Sequence, residues 1–181
     1  MKVITGLARG KRLKMPKGMA IRPTASQVKE SVFNIIQFRI PGSRVLDLFA
    51  GTGQMGIEAL SRGASAAVFV DASATAAGLV RENLKHTGLA GGSVVLSEAE
   101  AYLARGERFD LIFLDPPYAA GHMNKIIKKI QQFDILRENG IMICESPAGH
   151  AMPVPAPPYA MLREYRYGKV KITTYTRNGQ G

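Results

Sequence analysis

Apolar residues follow two alternating patterns along most of the chain. From residue 44 onward, short continuous apolar runs predict strands at 44–49, 66–70, 93–97, 109–114 and 140–145. The stretches between them predict helices near 54–62, 74–87, 98–105 and 122–133. Such alternation is typical of βαβ units, so we expect an α/β fold with a mostly parallel sheet and helices on both faces. Its ligand should lie at the carboxyl ends of the strands.

The two ends of the chain have different patterns. Residues 1–22 mix short apolar pairs with basic residues and glycines, which predicts a small basic hairpin or arm. A capping-box sequence at 24–27, followed by apolar residues at helical spacing, predicts a helix from about residue 24 to residue 38. After a proline-rich connection at 153–158, two alternating runs joined near Gly168 predict a C-terminal antiparallel hairpin, which brings the sheet to seven strands. We therefore expect an arm at 1–22 and one domain at 23–181.

The charge of the chain favours a polyanionic partner. Its 24 Lys and Arg residues outnumber 14 Asp and Glu residues, which gives a formal net charge of +10. Basic residues are concentrated before the first acidic residue, Glu30, at Lys2, Arg9, Lys11, Arg12, Lys14, Lys17, Arg22 and Lys29. A cluster of this kind is typical of a surface that binds nucleic acid, although it also serves solubility.

Other classes of protein are disfavoured by the composition. Cys144 is the only cysteine, so an internal disulfide and a thiolate metal cage are excluded, and a reducing cytoplasm is the expected compartment. The three histidines lack the spacing of metal ligands, and we expect no metal. The N-terminal residues lack the apolar run of a secretory signal, and 18 apolar residues never occur in succession, so we expect no membrane association.

A glycine-rich turn follows the strand at 44–49. Gly51-Thr-Gly-Gln-Met-Gly56 has the spacing of loops that bind adenosine-containing cofactors, and Asp71 ends the next strand, where a carboxylate can hold ribose hydroxyls. These features alone would also fit NAD. Asp47 favours S-adenosylmethionine, because a carboxylate there would repel a pyrophosphate but can bind an ammonium group.

Four further positions complete the predicted cofactor site. Phe49 ends the predicted strand just before the turn, and the helix N-terminus near Gly53 would bind the cofactor's carboxylate. Glu98 follows the third predicted strand and would line the adenine ring, with the Ala99 amide as a donor to it. The alternative for Glu98 is an acidic residue that only begins a helix.

A second motif, Asp115-Pro-Pro-Tyr118, follows the fourth predicted strand. The exocyclic amine of a nucleobase is a poor nucleophile because its lone pair is delocalised, so a site that methylates it needs acceptors for its N–H bonds. The Asp115 carboxylate and the Pro116 carbonyl would be those acceptors, Pro117 would stiffen the loop, and Tyr118 would stack on a flipped base. The alternative is an ordinary proline turn in which the acid and the aromatic ring have no catalytic role.

The motifs Asp47-Leu-Phe-Ala-Gly-Thr-Gly53 and Asp115-Pro-Pro-Tyr118 resemble those of the class I, S-adenosylmethionine-dependent amino-methyltransferases, which have a Rossmann-like fold. Further segments resemble the bacterial small-subunit ribosomal RNA guanine-N2 methyltransferases of the RsmD type. These segments are Gly10-Lys-Arg-Leu13, Arg22-Pro-Thr24, the helix at 27–34, the stretch at 56–63, Glu82-Asn-Leu84 and Tyr167-Gly-Lys169. The resemblance covers essentially the whole chain. It departs from the family pattern at Thr52, at Gln54-Met55, where small residues are usual, and at Ser97-Glu98.

The resemblance implies methyl transfer from S-adenosylmethionine to the N2 amine of a guanine in 16S ribosomal RNA. It also implies that the basic N-terminal segment contacts RNA, through Arg9, Lys11, Arg12, Lys14, Arg22 and Thr24. The implied partner is ribosomal RNA or a partly assembled small subunit, and we expect a cytoplasmic monomer. From Gln54 and Met55 we expect little effect on the chemistry.

Three alternatives stay open at this point. Adenine-N6 methyltransferases acting on DNA or RNA share the Asp115-Pro-Pro-Tyr118 motif, but those acting on DNA usually carry a target-recognition domain for which 181 residues leave no room. A non-catalytic RNA-binding assembly factor could retain this fold, although the presence of Asp47 and Asp115 argues against it. An NAD-dependent oxidoreductase would leave residues 115–118 without a function.

Overall fold

The computed structural model describes residues 1–16, 23–117 and 121–179, with the backbone alone at 23–25. Its elements, in chain order, are α1 (Pro23–Ile35), a 3-10 turn (Gln37–Arg39), β1 (Arg44–Leu48), α2 (Gln54–Ser61), β2 (Ala66–Asp71), α3 (Ala74–Thr87), β3 (Gly92–Leu96), α4 (Ala99–Leu103), β4 (Phe109–Leu114), α5 (His122–Gln132), β5 (Leu136–Pro147), β6 (Tyr159–Tyr167) and β7 (Val170–Arg177). Every predicted strand and helix from residue 23 onward is therefore present.

The seven strands form one sheet in the order β3-β2-β1-β4-β5-β7-β6. The first five strands of this order are parallel, whereas β7 pairs antiparallel with both β5 and β6. The predicted α/β fold with a C-terminal antiparallel hairpin is confirmed. Because the strand order reverses between β1 and β4, a crevice for a ligand is expected at the carboxyl ends of these two strands.

The element boundaries differ from the prediction at three places. Helix α1 ends at Ile35 and the chain continues as a 3-10 turn, and α4 is shorter than the predicted 98–105. Strand β5 begins at Leu136 rather than at 140, through the polar residues Arg137, Glu138 and Asn139. Asn139 has φ +58°, and the pairing of β4 with β5 shifts register between Phe109 and Leu111. A polar stretch that bends in this way gives no apolar signal, so the sequence pattern missed it.

Each face of the sheet is covered by its own hydrophobic core. On one face, Leu46 and Leu48 of β1 pack with buried residues of α4 and α5. On the other face, Val45 of β1 packs with buried residues of α1, α2 and α3. Since side chains alternate along a strand, Asp47 points to the same face as Val45, toward the side of α1 and α2.

The N-terminal segment 1–16 packs against α2 and α3. Val3 and Leu13 are buried in the same core as α1 and α2, and the segment folds back on itself through a bridge between Lys2 and Arg12. The Val3 amide donates to the Lys11 carbonyl over 2.9 Å. The Lys14 amide donates to Asn83 of α3 over 2.7 Å, which fixes the far end of the segment.

Glu58 of α2 joins three parts of this face. Its carboxylate, which is fully buried, lies 2.8 Å from Lys29 Nζ of α1 and 2.8 Å from Arg62 Nε. It also accepts the backbone N–H groups of Ile4 at 2.8 Å and Thr5 at 3.0 Å. Burial opposes ionisation, but Lys29 and the other donors outweigh it and hold the pKa of Glu58 below its ordinary value. One buried carboxylate therefore holds the N-terminal segment, α1 and α2 together.

Replacing Glu58 by Gln should lower the free energy of unfolding by about 3–5 kcal/mol, because Lys29 would stay buried without its counter-charge. The same change at the exposed Glu30 of α1 should alter that free energy by no more than about 0.5 kcal/mol. Urea denaturation at neutral pH measures both. Equal stability of wild type and Glu58→Gln would show that the ion pair contributes nothing.

The stabilisation that Glu58 provides should also depend on pH. Since the pKa of Glu58 is lowered on folding, its contribution is present above the pKa of an unfolded glutamate and is lost as the pH falls through the folded value. The difference in unfolding free energy between wild type and Glu58→Gln should therefore shrink in acid.

Candidate active site

The glycine turn between β1 and α2 leaves open space above it. Gly53 has φ +75°, and a Cβ there would stand 3.0 Å from the Val80 side chain. At Gly56 a Cβ would lie 2.3 Å from the ring of Phe69, so this glycine allows α2 to pack closely on β2. Gly51 is different, because no described atom lies within 4 Å of its Cβ position. The first glycine thus borders a cradle that a cofactor can fill, whereas the other two serve packing.

Asp47 lies under the N-terminus of α2. Its side chain is buried, and Oδ2 accepts the Gly56 N–H over 2.9 Å. Burial raises the pKa of Asp47 to about 7; the Gly56 N–H lowers it, and the carboxylates of Asp115 and Asp71 raise it further. Three carboxylates interact here, and among the described residues Lys29 offsets the charge of Asp47 only in part, which favours a cationic ligand and fits the ammonium and the sulfonium of S-adenosylmethionine.

Asp71, at the end of β2, is tied to the glycine turn. Its Oδ2 accepts the Gly51 N–H over 2.9 Å, and Oδ1 accepts the Ser73 N–H over 2.8 Å. Each oxygen keeps a lone pair that can accept a ribose hydroxyl. The carboxylate predicted to bind the ribose therefore also shapes the turn on which the cofactor would rest.

The remaining predicted cofactor residues surround the same strand ends. Glu98 is exposed and precedes α4, and its side chain makes no capping hydrogen bond within the described residues. Ala99 is buried, and the Ser97 amide donates to the Asp71 carbonyl, which joins the ends of β3 and β2. Phe49 has φ +70° and packs edge-on against the ring of His122 at 5.4 Å.

Asp115 and Pro116 follow β4 directly, beside the end of β1. The Asp115 residue is open at the surface, but the protein packed around its carboxyl group raises its pKa to about 6. Pro116 is buried and Pro117 is exposed. Tyr118 lies outside the described residues, so its predicted stacking role stays a prediction.

A cavity of about 170 Å³ opens beside Asp115, between the sheet and helices α1 and α2. Its polar lining comprises Lys29, Gln54, Asp115 and Glu145. Its apolar walls include Val28, Val32, Met55, Phe113, Ile143 and Ile172.

The sequence pattern assigned no role to Glu145, although a signal was present. An apolar run, 141–144, ends in this glutamate just as the run 111–114 ends in Asp115. Strands β4 and β5 pair Leu114 with Cys144, so Asp115 and Glu145 are the next residues along the two strands. Burial, and then the Asp115 carboxylate, raise the pKa of Glu145 to about 7.

The predicted RNA-binding residues of the N-terminal segment are exposed where they are described. Lys11 donates to the Thr87 carbonyl over 2.8 Å, and Lys14 lies 2.9 Å from Glu82. Arg9 and Arg12 make no side-chain hydrogen bond or ion pair within the described residues. Arg22 lies outside the described residues, and for Thr24 only the backbone in α1 is described.

The described residues contain neither a cluster of metal ligands nor a membrane-spanning helix. In the parts of the chain at 1–16, 23–117 and 121–179, no group of three or more His, Cys, Asp or Glu side chains could hold a metal ion. Over the same residues, no helix has both the length and the apolar character needed to cross a membrane.

Together with the relatives described below, the sheet order, the open glycine turn and the carboxylates at the ends of β1, β2 and β4 identify the chain as a methyltransferase. The chain belongs to the family described as Conserved hypothetical protein 95, which it matches over residues 1–176.

The comparisons with individual proteins agree with this family. The chain is 38% identical to YlbH of Bacillus subtilis, named as a candidate rRNA methyltransferase, over 99% of this chain and 100% of that protein. It is 30% identical to Ribosomal RNA small subunit methyltransferase D of Escherichia coli, over 100% of this chain and 92% of that protein. The solved structure of yhhF from Escherichia coli, described as a candidate methyltransferase, superposes with a TM-score of 0.89 at 28% identity and covers 99% of both chains.

Replacing Asp71 by Asn should weaken cofactor binding by about 1–3 kcal/mol, because a charge-assisted hydrogen bond to the ribose is lost. Titration calorimetry with S-adenosylhomocysteine measures the change. Glu100→Gln, a partly exposed carboxylate paired with Lys125, is the matched control and should bind as wild type does. Unchanged affinity in Asp71→Asn would contradict the ribose assignment.

Proposed function

We propose that this chain transfers a methyl group from S-adenosylmethionine to the exocyclic N2 amine of a guanine in the RNA of the small ribosomal subunit. The observation that carries the proposal is the position of Asp115 and Pro116 at the end of β4, beside the glycine turn that follows β1. The whole-length similarity to Ribosomal RNA small subunit methyltransferase D of Escherichia coli supports the choice of RNA.

When bound, S-adenosylmethionine supplies a methyl group that is attached to a positively charged sulfur. The sulfur keeps the electron pair of the carbon–sulfur bond when that bond breaks. Asp71 would hold the ribose, and the buried Asp47 would face the ammonium group beside the N-terminus of α2. The open space at Gly51 lets the cofactor approach the turn. These contacts position the donor and need no covalent bond to the protein.

Asp115 and Pro116 would act on the amine. The Asp115 carboxylate and the Pro116 carbonyl accept its two N–H bonds and localise the nitrogen lone pair toward the methyl carbon. The methylated nitrogen must then lose one proton. A carboxylate with a pKa of about 6 is mostly ionised at neutral pH, so Asp115 can accept the N–H bond and then this proton.

The predicted basic arm, residues 1–22, would bind RNA phosphates. Arg9 and Arg12 are exposed on a segment that is anchored to α2 and α3, so they present charge from a fixed position. We further propose that the protein acts in the cytoplasm as a monomer, on ribosomal RNA or a partly assembled small subunit.

Replacing Asp115 by Ala should lower methyl transfer by at least ~100-fold, the scale of one lost hydrogen bond to a transition state. Binding of S-adenosylhomocysteine should change little, since Asp115 is assigned to the amine and not to the ribose. Transfer from tritiated donor to small subunits of a strain lacking this chain is the assay. In the wild type the rate should fall as the pH drops through about 6, where Asp115 becomes protonated. Near-normal turnover of the variant would refute its role.

Replacing Arg9 and Arg12 together by Ala should weaken RNA binding and flatten its salt dependence. If each contacts one phosphate, the slope of log K against log salt should decrease by about 1.4, from about 0.7 per contact on a single strand. Filter binding at several salt concentrations measures the slope. Arg105 and Lys128 are the charge-matched control pair. Both are exposed, Arg105 just after α4 and Lys128 in α5, on the opposite face of the sheet. The same change of slope in both double variants would show that net charge alone, and not phosphate contacts by Arg9 and Arg12, explains the effect.

A further inference from the structure

The cavity beside Asp115 has more hydrogen-bond acceptors than donors. Asp115 and Glu145 are neighbours at the ends of β4 and β5, and both side chains line it. Gln54 lines it from α2, and its Oε1 is buried with no hydrogen-bond partner within the described residues. Such a lining favours a ligand that brings hydrogen-bond donors to it.

Lys29, the one cation among the described residues that line the cavity, is already engaged. Lys29 Nζ lies 2.8 Å from the Glu58 carboxylate and 3.3 Å from the Lys2 carbonyl. Its side chain is only 2% exposed, so it cannot turn toward Asp115 or Glu145 without leaving Glu58 unpaired. The two acids therefore gain no ion pair from Lys29.

Apolar side chains from both sides give the cavity the character of a base pocket. Val32 of α1 and Met55 of α2 lie on one side, and Phe113 and Ile143 of the sheet lie on the other. Apolar walls with a few polar groups are typical of pockets that accept a flipped nucleobase. A volume of about 170 Å³ suits one base better than a whole nucleotide.

We propose that this cavity binds the Watson–Crick edge of the target guanine and that Glu145 is its specificity-determining residue, accepting the guanine N1–H beside the N2 amine held by Asp115. The proposal rests on the function proposed above. Guanine presents three N–H bonds on N1 and N2, which match the acceptors of the cavity. Adenine presents a lone pair at N1, which would be repelled by the ionised Glu145 carboxylate, so the two bases are best compared at a pH above about 7, where Glu145 is mostly ionised.

The proposal gives Gln54 a role that the sequence pattern did not. Its buried Oε1 is a further acceptor within the same lining, at a position where small residues are usual in the resembled family. A ligand edge rich in N–H groups would satisfy it, whereas water or an adenine edge offers less.

The experiment compares guanine with 2-aminopurine. 2-Aminopurine keeps the 2-amino group but has a lone pair at N1 instead of an N–H, and a C–H at position 6 instead of the carbonyl group. Because the difference at position 6 is the same for every protein variant, a change in base preference between wild type and variant reports on the contact at N1. The methylated position is first mapped by nuclease digestion and mass spectrometry of small subunits treated with the wild-type protein. Small subunits are then reconstituted with ribosomal RNA that carries guanosine or 2-aminopurine at that position, and kcat and KM are measured for each.

The wild type should prefer guanosine by about 10-fold or more in kcat/KM, the scale of one well-formed base contact. Glu145→Gln should reduce that preference to about 3-fold or less, because its amide can donate to the N1 lone pair of 2-aminopurine. Glu138→Gln, the same substitution at the other end of β5, should keep the wild-type ratio. Binding of S-adenosylhomocysteine should be unchanged in both variants.

Two results would overturn the proposal. An unchanged base preference in Glu145→Gln would show that Glu145 does not contact N1, and an equal fall of kcat/KM on both substrates would then assign it a structural role. A loss of S-adenosylhomocysteine affinity would assign it to the cofactor. If the wild type forms no N2-methylguanine in the mapping step, the proposed function itself fails, and that failure is recognised before any variant is compared.

Discussion

The face of the sheet that carries the candidate site depends on the burial of one carboxylate. Glu58 holds the N-terminal segment through two backbone N–H groups and holds α1 through Lys29. Arg62 adds a second tie, because its guanidinium pairs with Glu58 and stacks over the ring of Phe33 in α1 at 4.7 Å. Helix α1 is placed over the cavity by these contacts. Without them, the cavity beside Asp115 would lose one of its walls.

The site contains several carboxylates whose negative charge is partly compensated by backbone N–H groups. Asp47 and Asp71 each accept backbone N–H groups from the glycine turn or the start of the next helix, and the N-terminus of α2 favours an anion near Asp47. The compensation is incomplete, since burial raises the pKa of Asp47 to about 7, of Asp115 to about 6 and of Glu145 to about 7. In the proposed function, a cationic cofactor and a base edge rich in N–H groups would relieve the same electrostatic cost from two sides.

Asp115 lies between the proposed cofactor site and the proposed base pocket. On one side it faces Asp47, whose pKa it raises, and on the other it faces Glu145 across the pairing of β4 with β5. The methyl donor and the acceptor base would therefore meet at this residue. Its position at the strand end, followed by two prolines that supply no N–H donors, leaves its carboxylate available to the amine.

The sequence by itself determined the elements and the first half of the site, because these depend on local patterns. Apolar runs located the strands, and the glycine turn, Asp47, Asp71 and Asp115 each stand at a recognisable place relative to a strand. The start of β5 was missed because Arg137, Glu138 and Asn139 give no apolar signal. Only the tertiary structure brought together Glu145, Gln54 and Lys29, since their meeting requires β5 beside β4 and α1 across the sheet. Those are contacts between residues far apart in sequence, and the spacing of residues along a chain carries no record of which distant strand ends become neighbours.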